Sequence, residues 1–251
     1  MEEPTVAYNI RTLWKTPGDQ PNGLQATDQG LWVLDQVDPN VVYLLDYANG
    51  SIKRQFPTRS HHGSGITVDP DGRVWVASTF GFEIICYDPE TGREVSAIPA
   101  PGLGPGPGSP HALEWRNGSL WCNVPKAGQI FELDPRTGQV LHHISGHGDR
   151  CHGIAWESDG MWCLGINPAS QVDPSPVPAH ESARPWRSAR GLPALWSSDT
   201  NKRVIFRIDP DTGEILDALG VSGLEPHGMT IHDGTFWLCD AGTRDVFVLE
   251  K

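Results

Sequence analysis

A twelve-residue pattern recurs five times along this chain and constrains its fold more than any other feature. The last copy is Pro226-His227-Gly228-Met229-Thr230-Ile231-His232-Asp233-Gly234-Thr235-Phe236-Trp237. The others run from Pro21-Asn22-Gly23-Leu24 to Leu31-Trp32, from Ser64-Gly65-Ile66 to Val74-Trp75, from Pro110-His111-Ala112-Leu113 to Leu120-Trp121, and from Cys151-His152-Gly153-Ile154 to Met161-Trp162. Each has a small residue, an alternating apolar run, a turn with glycine, and an apolar-Trp pair. Period-two alternation broken by a glycine turn is the signature of two antiparallel strands.

A second apolar run follows each Trp and leads to a turn such as Asp88-Pro89-Glu90-Thr91-Gly92, Asp134-Pro135-Arg136-Thr137-Gly138 or Asp209-Pro210-Asp211-Thr212-Gly213, with Asp46-Tyr47-Ala48-Asn49-Gly50 as the divergent copy. Proline presets φ, aspartate bonds the backbone ahead of it, and glycine takes positive φ. Each unit therefore reads as four antiparallel strands, A to D. Units of this kind repeating about every 40 residues predict a β-propeller. The pattern Trp residues fall at 32, 75, 121, 162 and 237, so only the last gap is too long. Trp196-Ser197-Ser198-Asp199 resembles the continuation of strand B, and removing about 163–196 restores the period. That segment is rich in proline, which cannot pair within a sheet. The expected architecture is all-β: a single five-bladed β-propeller domain over residues 1–251. It carries an insertion at about 163–196 on the channel-mouth face. N-terminal residues from about 6 to 14 complete the last blade, which otherwise ends at strand C. The alternative is six blades, with Pro185-Trp186-Arg187 as a degenerate strand.

Composition limits the partners. The chain has 31 acidic and 19 basic residues, a formal charge of −12, which argues against nucleic acid and anionic membrane. No apolar run reaches membrane-spanning length. The opening Met1-Glu2-Glu3-Pro4 is not a secretory leader. Five cysteines, an odd number, then suggest free thiols in a reducing compartment, so a cytoplasmic protein is expected. Cys151, beside His152, is the one to test for reactivity.

Strand A lines the axis of a propeller, so residues at its start converge at the channel mouth. Here they are Asn22, Ser64, His111, His152 and His227. Each of the three histidines, and Asn22, stands ten residues before its Trp. Three imidazoles around one axis can bind a divalent metal, with zinc or another imidazole-preferring ion ahead of magnesium or calcium. Asn22 is the expected oxygen neighbour. His111 and His227, with His62 from the same loop layer, are the candidate acid–base groups, and Ser64 is a candidate substrate contact. Trp186 and Arg187, on the insertion, could contact a ligand entering from that face. The competing reading makes the histidines strand-start hydrogen-bonding groups. Asp35, Asp199 and Asp240 recur three residues past a blade Trp, which favours turn bracing.

In its Pro-His-Gly and Pro-His-Ala motifs, its Asp-Thr-Asn-Lys-Arg turn and its Gly-x-apolar-Trp strands, the chain resembles the streptogramin (virginiamycin B) lyases. It also resembles the gluconolactonase and senescence-marker propellers. The lyases carry a metal-dependent histidine in a Pro-His-Ala context, matched by His111 or His227. The lactonases place metal ligands before the strand-A glycine, matched by Asn22, His111, His152 and His227. The chain departs from both: it lacks the lyases' Trp-Phe-Thr-Glu run and their seven blades, and the lactonases' carboxylate ligands and six blades. A three-histidine zinc site in a propeller also resembles the peptidylamidoglycolate lyase arrangement. The resemblances imply a metal-dependent lyase or hydrolase acting on a small polar molecule. A lactonase and a non-catalytic binding scaffold are the alternatives.

Overall fold

The computed structural model describes residues 9–102, 106–146, 151–157, 160–165, 195–199, 204–220 and 225–250, with 160–165, 195–199, 204 and 217–220 described as backbone only. Strand β1 (Asn9–Lys15) precedes the first repeat. The first sheet is β2 (Pro21–Thr27), β3 (Gly30–Asp35), β4 (Val41–Leu45) and β5 (Ile52–Pro57). The second is β6 (Gly63–Val68), β7 (Val74–Ser78), β8 (Glu83–Asp88) and β9 (Arg93–Pro99). The third is β10 (Leu113–Arg116), β11 (Ser119–Val124), β12 (Gln129–Leu133) and β13 (Val140–Ser145). Then come β14 (Cys151–Glu157), β15 (Gly160–Gly165), β16 (Leu195–Asp199), β17 (Val204–Ile208) and β18 (Ile215–Gly220), and finally β19 (Pro226–His232), β20 (Thr235–Asp240) and β21 (Asp245–Glu250).

All pairings are antiparallel, as in a β-propeller. The expectation of five like blades is met only in part. Four sheets are regular and four-stranded, one of them formed by β19, β20, β21 and β1. The sheet in the remaining place has five strands and is irregular. In it β15 and β16 hold the same register on β17, with Trp162 and Trp196 both opposite Arg207. Strand β15 also runs through Gly165, and β16 begins at Leu195. The expected insertion at about 163–196 thus overlaps the end of β15 and the start of β16, and the rest of it lies outside the described residues. A regular blade gives its strand C one strand-B partner, and here two segments take that place. Strand β1 pairs with β21 from Asn9↔Glu250 to Lys15↔Asp245.

Apolar clusters pack between neighbouring sheets. Trp32, Leu34 and Phe56 meet Ile66, Val76 and Tyr87. Trp75 and Ile84 meet Leu113 and Phe131. Trp121 and Ile130 meet Ile154 and Ile208. Ala155 and Ile205 meet Met229, Leu238 and Phe247, and Cys239 and Val246 meet Leu24 and Leu31. The small residue of each repeat has a geometric cause. A Cβ on Gly65 would stand 2.0 Å from the His111 carbonyl oxygen, and one on Gly228 would stand 2.9 Å from the Leu24 nitrogen. Inner strands of adjacent sheets touch at these points, so Gly65 and Gly228 leave no room for a Cβ.

The turns form as their residues require. Asp46, Asp88, Asp134 and Asp209 each accept a bond at Oδ1 from the amide two residues on. Gly50, Gly92, Gly138 and Gly213 close the turns with φ between 66° and 76°. Asp35 bridges the Gln20 and Val37 amides, and Asp240 bridges those of Glu225 and Thr243. These two carboxylates tie the loop entering strand A to the loop leaving strand B, the bracing expected of them. Burial raises the Asp35 carboxyl despite those amide bonds. The side chain of Asp199 lies outside the described residues.

Candidate active site

The start of each inner strand lies at one end of the axis, and there the three histidines meet. The rings of His111 and His152 stack at a centroid distance of 3.8 Å and an interplanar angle of 29°. The His152 and His227 rings meet edge to face at 4.3 Å. All three are buried, His111 being 6% exposed, His152 1% and His227 2%. The sequence expectation that residues more than a hundred positions apart converge at one point is met.

His227 Nδ1 lies 2.8 Å from the Glu225 carbonyl oxygen. A carbonyl only accepts, so Nδ1 carries the proton and Nε2 of the neutral ring keeps its lone pair. Asn22 is fully buried and its amide nitrogen donates to Gln36 Oε1. Its Oδ1 has no hydrogen-bond partner among the described residues.

The donor types suit a transition metal, but the ring orientations do not. Imidazoles on one zinc at about 2.0–2.1 Å would hold their centroids about 5 Å apart, with nitrogens aimed at one point. The His111 and His152 centroids, at 3.8 Å, are closer than that. Among the described residues no group of three or more His, Cys, Asp or Glu side chains is placed to hold a metal ion.

Ser64, expected to touch substrate, is fully buried, and its hydroxyl bonds Thr79 Oγ1 and the His62 carbonyl. Thr79 in turn donates to the Pro110 carbonyl, so Ser64 links the second and third inner strands instead. His62 lies in the loop above, in a left-handed conformation (φ 58°), with its ring stacked on Phe80 at 4.5 Å. Trp186 and Arg187 lie outside the described residues.

Three residues further along the same strands is a second polar belt: Gln25, Thr67, Glu114 and Thr230, with Ala155 completing the positions. At about 3.3 Å per residue this belt lies about 10 Å deeper. Thr67 donates to Gln25 Oε1, and Thr230 Oγ1 accepts the Ala26 amide. Burial raises the Glu114 carboxyl well above the ordinary range, a shift only partly offset by a bond from Gln25. Between the belts, Leu24, Ile66, Leu113, Ile154 and Met229 fill the axis and leave a cavity of about 10 Å³. That is room for about one water, so chemistry at the histidines must be approached from their own face. A cavity of about 680 Å³ between the second and third sheets, lined by Asp69, Trp75, Trp115 and Arg136, lies at the opposite face and contains none of the mouth residues.

The expectation that all cysteines are free is overturned: Cys151 is disulfide-bonded. An odd cysteine count does not reveal which strands adjoin. A disulfide persists in an oxidising environment, so cysteine content no longer supports the cytoplasmic expectation. Cys86, Cys122 and Cys239 are free and buried. Burial raises all three thiols, Cys86 to about 11 and Cys239 to about 12. Among the described residues no helix is long and apolar enough to cross a membrane.

No family model matches the chain, and no curated protein matches it. Solved structures do. A glutaminyl cyclase from Myxococcus xanthus superimposes with a TM-score of 0.68 over 98% of both chains, at 8% identity. A streptogramin B lyase matches with a TM-score of 0.54 over 99% of both, at 18% identity. A catalytically inactive His-to-Ala variant of virginiamycin B lyase from Staphylococcus aureus, with quinupristin, matches at 0.53 over 97% of this chain and 99% of that one, at 16% identity. The chain thus has the β-propeller fold of the streptogramin lyases, as the resemblance implied.

Proposed function

We propose that the protein is an enzyme of the lyase or hydrolase kind, acting on a small polar organic molecule at the axial mouth with the histidine cluster as its acid–base group. One observation carries this reading: three buried imidazoles from three repeats gather at one end of the axis, with the His152 ring in contact with those of both His111 and His227. Three side chains that can each take and return a proton near neutral pH rarely collect in a core for packing alone. His227 is the base in this reading, its ring oriented by the Nδ1 bond to the Glu225 carbonyl. His152 and His111, in ring contact beyond it, are the groups that return a proton to the leaving atom. In an elimination the base removes a proton from carbon while the leaving group is protonated. In a cyclisation of the glutaminyl type, the substrate amine attacks its own amide and ammonia leaves after the same two proton transfers. The inactive His-to-Ala lyase and the extent of overlap with the cyclase support this chemistry by analogy of fold. In the same reading the five sheets form one five-bladed ring closed by β1. The five inter-sheet clusters and the β1–β21 register support that closure.

A divalent metal, zinc first, is the second reading at this site. The buried Asn22 Oδ1, which no described residue satisfies, favours it. That reading requires His111 and His152 to unstack so that their nitrogens converge with Asn22 Oδ1. A bound ion would polarise a substrate oxygen; the proton transfers would stay with the remaining side chains.

The test is a screen of a streptogramin B depsipeptide, N-terminal glutaminyl peptides and lactones, with and without chelator. It uses the wild type, the triple His111→Ala/His152→Ala/His227→Ala variant and the single His227→Gln variant, each checked for folding by circular dichroism. The expected result is conversion of one class that survives chelator and falls by about 10²-fold or more in both variants. Loss with chelator and recovery with zinc would establish the metal reading. Conversion unchanged in the triple variant would move the chemistry elsewhere, and no conversion with a retained partner would make the protein a scaffold.

A further inference from the structure

The loop between β7 and β8 shows two large aromatic side chains to solvent. Phe80 is 48% exposed and Phe82 is 42% exposed. Among the described residues, seven of the ten exposed large hydrophobics lie on the outermost strands β1, β5, β9, β13 and β18. Phe80, Phe82 and Val37 are the other three, and all lie in loops leaving a strand B on the histidine face.

The aromatic pair is held rigidly and at a cost. His62 stacks on one face of Phe80 at 4.5 Å and 23°, and His61 meets the same ring edge-on at 5.5 Å. The Phe80 amide donates to the His61 carbonyl, and the Thr79 amide donates to that of His62. His62 and Phe82 both take positive φ, 58° and 56°. That conformation is unfavourable for side chains of this size and persists only where the surroundings enforce it. Gly81 completes the constraint: a Cβ there would stand 2.3 Å from Ser78 Oγ, which holds the His61 amide. Beside Phe82, Arg59 spans Glu83 and Glu94 and makes the far side of the loop a charged wall. Exposed apolar surface on a strained, braced loop marks a binding surface.

We propose that this loop is an aromatic shelf seating an aromatic or bulky apolar group of the substrate, whose polar end then lies over the histidine cluster. The inference rests on reading the mouth as the active site. Continuity supports it: Thr79, the first residue of the loop, bonds Ser64 in the histidine belt and the carbonyl of Pro110 next to His111. The substrate class is accordingly a polar reacting group carried next to a ring or branched chain, as in a peptide with a hydrophobic residue beside the reacting one.

The experiment measures binding apart from turnover, by calorimetric or saturation-transfer titration with L-phenylalaninamide and glycinamide. Wild type is expected to bind phenylalaninamide about tenfold more tightly, the burial of part of one ring being about 1.4 kcal/mol. Phe80→Ala/Phe82→Ala should erase the preference, Phe80→Leu should keep part of it, and the triple histidine variant should leave it intact. Equal binding of the two amides by wild type, or a preference unchanged in the double variant, would overturn the shelf. A preference that behaves as expected, in a protein converting nothing in the screen, would support the shelf and count against the enzymatic reading alone.

Discussion

The two polar belts of the axis belong to the same five repeats, three residues apart, and both are buried except for the half-buried Gln25, yet they differ in kind. The deeper belt is bonded side chain to side chain and to nearby backbone. Thr67 bonds Gln25, Gln25 bonds Glu114, and Thr230 bonds the Ala26 amide. It mixes Gln, Thr, Glu and Ala side chains with no titratable type repeated, as expected of positions that bond to one another and to nearby backbone. The mouth belt repeats one residue type three times, brings those rings into contact, and lies beneath loops carrying exposed aromatics. Burial alone therefore says little about function; repetition of a titratable group with access from one side says more.

The largest expected effect separates the belts directly. His227→Ala and Thr230→Val alter one strand at positions three apart. His227→Ala should lower turnover by about 10²–10⁴-fold. Thr230→Val should leave turnover unchanged while losing one side-chain bond, about 1 kcal/mol or 2–4 °C in Tm. Equal loss of activity in both variants would mean that the mouth has no special role.

Next in size is the packing that brings the belts together. Gly65→Ala puts a methyl 2.0 Å from the His111 carbonyl oxygen and 2.7 Å from the Leu113 amide. Backbone cannot yield as a side-chain tip can, so about 3 kcal/mol or more of stability should be lost. Gly118→Ala, with nothing within 4 Å but φ at 85°, should cost about 1 kcal/mol. Urea denaturation of the two variants checks the ranking, and the reverse order would refute the close approach of the inner strands.

Much of this was legible in sequence because the repeat fixes register. The spacing from histidine to Trp was enough to bring His111, His152 and His227 together, and the Asp-Pro turns named their own bonds. What the repeat does not encode was missed. Ring orientation depends on side-chain torsions, so the stacking of His111 on His152 is not legible in the spacing. The burial of Ser64 is not legible because its hydroxyl partner, Thr79, lies in the loop after β7, fifteen residues away. The Cys151 disulfide and the double register at β17 both arise next to the interrupted repeat, where spacing ceases to guide. Phe80 and Phe82 fall in a loop with no counterpart in the pattern, although two phenylalanines flanking one glycine were a signal available to be read. Glu114 was legible in principle, since it stands three residues past His111 in every alignment of the repeat.

The smallest expected effect concerns Glu114 and has a definite sign. Its carboxyl is raised above the ordinary value of 4.5, with desolvation as the main cause. A carboxyl with a raised folded-state value contributes full stability only below the unfolded value. As pH rises past 4.5 the unfolded chain ionises this group while the folded one does not, so stability falls until the folded value is reached. Glu114→Gln cannot ionise and keeps an oxygen to accept from Gln25, so it escapes that fall. It also buries a second amide hydrogen beside the position of Oε2, which has no hydrogen-bond partner among the described residues, and that costs about 1 kcal/mol or more at every pH. The variant should therefore be the less stable protein at pH 4 and gain on wild type steadily above it. The Tm difference should shift by about 2–4 °C for each kcal/mol of ionisation cost removed. Thermal melts of both proteins at pH 4, 6 and 8 decide the matter: parallel profiles would show that Glu114 ionises alike in both states, and the deeper belt would then be as open to water as the mouth.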